Sequence, residues 1–142
     1  MASRDRKSTK RFAGIPFSVL QSQQGASLKA AEVKLLIDLL FQFNGHNNGV
    51  LSPCLTLMKK RGWASSSLYR AFRSLEDKGF LVVTRQGWKV RGRPTLVAIT
   101  WNGIDEPKGL EYDKDIKPNP VPLAYWCKDK STWKHKPKEK TL

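Results

Sequence analysis

The chain has 142 residues, enough for one domain with a real core and too few for two comfortable ones. Lys and Arg number 26 against 12 Asp and Glu, a net charge of +14 with a pI near 10.1, which points towards a polyanionic partner, either nucleic acid or an acidic surface. The two cysteines, Cys54 and Cys127, form no CxxC and have no His cluster nearby, which argues against a disulfide framework or a zinc site and suits a reducing compartment.

The N-terminus is charged without an apolar core, unlike a signal peptide, and no apolar run approaches the roughly 18 residues that suggest a membrane span. The expectation is a cytoplasmic protein with no membrane contact, no metal and no cofactor. Residues 1–14 form a basic flexible arm, with Arg4, Arg6, Lys7, Lys10 and Arg11 and no hydrophobic periodicity. Such an arm either contacts phosphates or a minor groove, or simply solubilises the chain. Ile15 to Leu20 is a short apolar segment expected to pack along the domain edge, and Gln21 to Gly25 reads as a polar connector.

Ser27 is the expected cap of a first long helix running to about Phe43. Leu28, Ala31, Leu35, Ile37, Leu39 and Leu40 give it apolar content, and Val33, Leu36 and Phe41 broaden that surface, so the helix should be central to the core. Asn44 and Gly45 close it. His46, Asn47, Asn48 and Gly49 read as a turn; the HNN string lacks a second His and a carboxylate cluster for nuclease chemistry. Val50 and Leu51 are candidates for a short strand.

From Pro53 to Phe80 the sequence reads as two short helices joined by a tight turn. Ser52 caps the first, Pro53 suits its first turn, and Cys54 to Arg61 form it. Gly62, Trp63 and Ala64 make the turn, Ser65, Ser66 and Ser67 offer caps to the second helix, and Gly79 ends it as a C′ residue. Leu68, Phe72 and Leu75 recur at i, i+4 and i+7 and face a core, with Ala71 on their flank. The opposite face carries Ser66, Tyr69, Arg70, Arg73 and Asp77. Such a face either enters the major groove of DNA, where Arg pairs bidentately with guanine, or is a solvated helix surface.

Phe80 to Thr84 and Leu96 to Trp101 are two strand-like runs expected to pair antiparallel. The loop between them, Arg85 to Pro94, holds four basic residues, two glycines and Trp88. It either touches the DNA backbone or is an exposed basic loop without a partner. Ten Lys and Arg against two acids between residues 59 and 93 place +8 of the charge on the helix pair and this hairpin.

The order helix, short strand, helix, turn, helix, hairpin resembles the winged helix-turn-helix family over residues 27–101. The closest pattern is that of small phage, plasmid and mobile-element proteins in which a segment like IPFSVL precedes the first helix and the recognition helix reads like SSSLYRAFRSLEDKGFL. The resemblance implies an α+β fold of three helices and a C-terminal β-hairpin wing over residues 15–101. It also implies that Ser65, Ser66, Ser67, Tyr69, Arg70 and Arg73 meet DNA from the recognition helix, and that Arg85, Lys89, Arg91 and Arg93 do so from the wing. Two departures are visible: the chain carries no separate effector domain and no long terminal helix as a dimer interface.

Residues 102–142 form an irregular Pro- and Lys-rich tail with five prolines between Pro107 and Pro137 and with Tyr112, Tyr125, Trp126 and Trp133 scattered through it. Those aromatics dock on the domain, bind a protein partner, or stack on bases, with the first two readings preferred. The functional expectation is sequence-specific binding of double-stranded DNA, as a transcriptional regulator or replication accessory of a mobile element. The alternative is a protein-interaction module on the same scaffold that engages or inhibits a nucleoprotein complex. RNA binding lacks the aromatic sheet platform, and an enzyme lacks a triad or a metal partner for either histidine. Partner expectations are double-stranded DNA, a protein reached through the tail, and a second copy of the chain as a homodimer.

Overall fold

The computed structural model describes residues 11–87 and 93–137. The fold is α+β, with five α-helices and one two-stranded antiparallel sheet among the described residues. The helices are α1 (Phe17–Gln21), α2 (Gln23–Ala26), α3 (Ala30–Gln42), α4 (Leu55–Lys59) and α5 (Ser65–Asp77). The strands are β1 (Leu81–Arg85) and β2 (Leu96–Ile99), followed by single 3-10 turns at Tyr125–Cys127 and Lys130–Thr132. The polar connector expected before α3 is instead helical, because the Ser22 hydroxyl accepts from the Gly25 amide at 2.9 Å and starts α2. Ser27 therefore ends α2 rather than capping α3. Lys29 is the N-cap of α3, and its amide donates to Glu32 Oε1 at 2.9 Å.

Leu35, Leu36, Leu39 and Leu40 bury one side of α3 against Met58, Trp63, Leu68, Ala71, Leu75 and the sheet. Of the residues expected to broaden the apolar surface Leu36 is buried, whereas Val33 and Phe41, with Ile37 of the main apolar set, form an exposed i, i+4, i+8 line on α3. Helix α4 is shorter than Cys54 to Arg61: Pro53 lies outside it and Cys54 is its N-cap. Ala64 is the N-cap of α5 and no side chain caps that end, so the three serines lie in the first turn, where Ser67 Oγ donates to the Ala64 carbonyl at 3.1 Å. Gly79 does end α5, with φ +89°.

In the hairpin Leu81 faces Ile99, Val82 faces Ala98 and Val83 faces Val97, with a bulge before Arg85 pairs with Leu96. Leu51 adds one antiparallel rung to Val97, with N–O distances of 2.8 and 3.2 Å. Alternation sends Leu81, Val97 and Ile99 into the helical core and Val82 and Ala98 to the other face. There the tail supplies the cover. Ile104, Ile116, Tyr125 and Trp133 are buried against Val82 and Ala98, and the Tyr125 and Trp133 rings stack at 5.0 Å.

Docking is therefore the fate of Tyr125 and Trp133. A Cβ on Gly79 would come within 2.6 Å of the Tyr125 backbone and 2.8 Å of the Trp133 ring, so close approach as well as positive φ requires glycine there. The HNN string is structural. The side chain of Asn48, fully buried, accepts from the Ile99 amide at 2.8 Å and donates to the Ile99 and Gly103 carbonyls at 2.9 and 2.8 Å, while His46 is exposed. Among the described residues, no helix is long and apolar enough to cross a membrane.

Candidate nucleic-acid interface

One buried carboxylate on α3 ties down the turn that leads into α5. Asp38 accepts from the Trp63 indole at 2.7 Å, from Arg61 at 3.0 and 2.9 Å and from Lys34 Nζ at 2.7 Å, and Lys34 also donates to the Arg61 carbonyl at 2.8 Å. These contacts fix the backbone around Gly62, whose φ of +92° makes the sharp turn between α4 and α5. Burial pushes the Asp38 carboxyl up, but the hydrogen bonds from Lys34, Trp63 and Arg61 outweigh it and hold the group below its ordinary range. Glu32 behaves alike: burial opposes ionisation, and the Lys29 amide, Lys78 at 2.6 Å and Ser74 reverse the sign. The sequence signal for Asp38 was an acid flanked by Ile37 and Leu39 in a helix of core residues. Sequence reasoning passed over it.

On α5 the predicted contact residues divide by position along the helix. Ser65, Ser66, Tyr69 and Arg70 are exposed near its N-terminal end, with Tyr69 53% accessible. Ser67 is half-buried. Arg73 is half-buried too, and its guanidinium lies 3.2 Å from Glu76. Asp77, expected on the same free face, pairs with Lys130 of the tail.

Phe72 is only partly buried and lies on the floor of a groove of about 670 Å³ that runs between α5, β1 and the tail. The even burial implied by its place on the Leu68–Leu75 stripe fails because, among the described residues, this flank of the helix opens onto the groove.

The hairpin loop is tied back to the tail. Asp113 accepts from the Gln86 amide at 2.7 Å and lies 3.9 Å from Arg93, while its own amide donates to the Thr84 carbonyl at 2.8 Å. Arg85 donates to the Pro94 carbonyl at 3.1 Å. Arg85 and Arg93 are thus half-buried and turned towards their own chain rather than projecting from it. Lys89 and Arg91, as well as Trp88 and the arm residues Arg4, Arg6, Lys7 and Lys10, lie outside the described residues.

The exposed N-terminal half of α5 is a short platform of hydroxyl, phenol and guanidinium groups that follows directly on the turn held by Asp38. Such a platform suits hydrogen bonding to base edges and phosphates. Among the described residues, no group of three or more His, Cys, Asp and Glu side chains is placed to hold a metal ion. No protein-family model, curated protein or solved structure matches the chain.

Proposed function

We propose that this protein is a winged helix-turn-helix that binds double-stranded DNA sequence-specifically, as a transcriptional regulator or replication accessory of a mobile element in the cytoplasm. Helix α5 is the recognition helix in this reading, and the β1–β2 loop is the wing. The observation that carries it is the exposed cluster of Ser65, Ser66, Tyr69 and Arg70 at the N-terminal end of α5, on a chain of net charge +14. Recognition helices use their N-terminal residues on base edges in this way.

Arg70 is the residue best placed for a bidentate base contact, and Arg73, engaged with Glu76, contributes less. The protein-interaction reading draws less support, since Tyr125 and Trp133 are occupied in covering the sheet.

The test selects bound duplexes from a random pool and measures affinity at fixed salt. Arg70→Ala should weaken the selected duplex by about 1 to 3 kcal/mol relative to random DNA. Equal losses on both would reduce Arg70 to a phosphate contact, and failure to enrich any duplex would sink the reading.

A further inference from the structure

A helix in the major groove and a hairpin loop reaching the adjacent minor groove straddle one phosphate backbone, which must cross the space between them. On the proposed reading the groove beside α5, whose far wall is the tail, is the described space along which that backbone would run. Tyr69 and Arg73 line one side, Phe72, Val83 and Ile116 the floor, and Lys134 and Lys136 the tail rim.

The rim is held in place. His135, between the two lysines, makes a 2.9 Å hydrogen bond from Nε2 to the Asp115 carbonyl and a 2.8 Å one between Nδ1 and the Tyr125 hydroxyl, and Tyr125 is itself buried. Lys130, on the preceding turn, pairs with Asp77 at the end of α5. Lys134 and Lys136 are both exposed on this anchored segment.

The charges facing them are of two kinds. Glu76 and Asp113 are engaged by Arg73 and by Arg93 with the Gln86 amide. Asp115 is the remaining acid on the lining, against two lysines.

We infer that the tail is part of the DNA interface: Lys134 and Lys136 bind phosphates of the backbone strand that crosses the groove, and deoxyribose rests on the apolar floor of Phe72, Val83 and Ile116. This rests on the reading of α5 as a recognition helix and adds to it a contact from outside the winged-helix portion. Lysine suits the role, as a point charge on a flexible stem that follows a phosphate without selecting a base.

The experiment uses the full chain and one duplex recovered by selection, with affinity measured across a salt series. Lys134→Gln combined with Lys136→Gln should flatten the log-log salt slope by up to about 1.8, at roughly 0.9 per phosphate contact. The ranking of duplex sequences and the melting temperature should stay the same, and Lys134→Arg with Lys136→Arg should keep the wild-type slope. An unchanged slope in the Gln variant, or a flattened slope in the Arg variant, overturns the tail contact. The two readings separate through Arg70→Ala: if it lowers discrimination while the Gln variant leaves the slope alone, only the tail contact falls. Wild-type protein without salt-dependent duplex binding overturns both.

Discussion

On one face of the hairpin, Leu81, Val97 and Ile99 meet helices whose apolar residues repeat at helical spacing; on the other, Val82 and Ala98 meet a segment with no long element of its own. The first cover is continuous and cooperative, built from stripes on α3 and α5. The second is a strap held at separate points: Ile104, Ile116, Tyr125, Trp133 and the ion pair from Lys130 to Asp77. Five prolines make this economical, because a chain already restricted in φ loses less entropy when it is ordered. An irregular segment with few apolar residues can therefore dock firmly when those few are large and rigid.

The largest effect is expected from Trp133→Ala. Loss of a buried ring stacked on Tyr125 should cost about 3 to 5 kcal/mol and open residues 104–137 to protease while the helical layer persists. Unaltered protease resistance would mean that the strap does not depend on discrete anchors.

Next comes Asp38→Ala, which tests whether the helical layer also relies on a point contact. It leaves the buried Trp63 indole without its acceptor, and Lys34 and Arg61, both partly exposed, without their partner. The expected loss is about 2 to 4 kcal/mol, with weaker duplex discrimination if α5 reads DNA as proposed, because the turn that leads into it is no longer held. A stability loss below about 0.5 kcal/mol would remove the Asp38 contacts from the account.

Phe72→Ala should cost less, about 1 to 2 kcal/mol, since the ring lies half-open to the groove. A loss as large as that for Leu75→Ala would show that the groove is closed in solution.

The shallowest effect is that of pH. Glu32 and Asp38 have ordinary values of 4.5 and 3.8, and both are lowered in the folded chain. Their contribution is complete above those values and is lost as pH falls through the lower folded ones, because the unfolded chain takes up protons first. Chemical denaturation repeated from pH 6 downwards should show stability falling from about pH 4.5, and Asp38→Asn should blunt the fall. A flat profile to pH 3 would contradict the assignment.

The helical layer was legible because its signals are local. Gly79 at the end of α5 and the β-branched run of β1 follow from backbone preferences that neighbouring residues do not alter. Serine caps were misplaced because any of several hydroxyls fits the rule; the N-caps are Lys29 for α3 and Ala64 for α5. Asp38 was missed because burial of a carboxylate depends on Arg61 and Trp63, more than 20 residues away. The intramolecular pairing of Arg73, Arg85 and Arg93 was missed for a similar reason. Their partners lie in part on the tail or across the hairpin, and charge counting does not see who is already paired.

The strap has a consequence for the order in which the protein is made. Residues 11–101 hold most of the helical layer, with Trp126 packed against it from the tail, and the outer face of the hairpin is fully covered only once Trp133 has left the ribosome. At the usual pace of synthesis that interval lasts about two to seven seconds. During it a nascent chain presents two apolar strand positions and an uncovered two-stranded sheet. This exposed interval, rather than any weakness of the finished fold, is where a holding chaperone would act, and where truncation before residue 133 would turn a folded protein into an aggregating one.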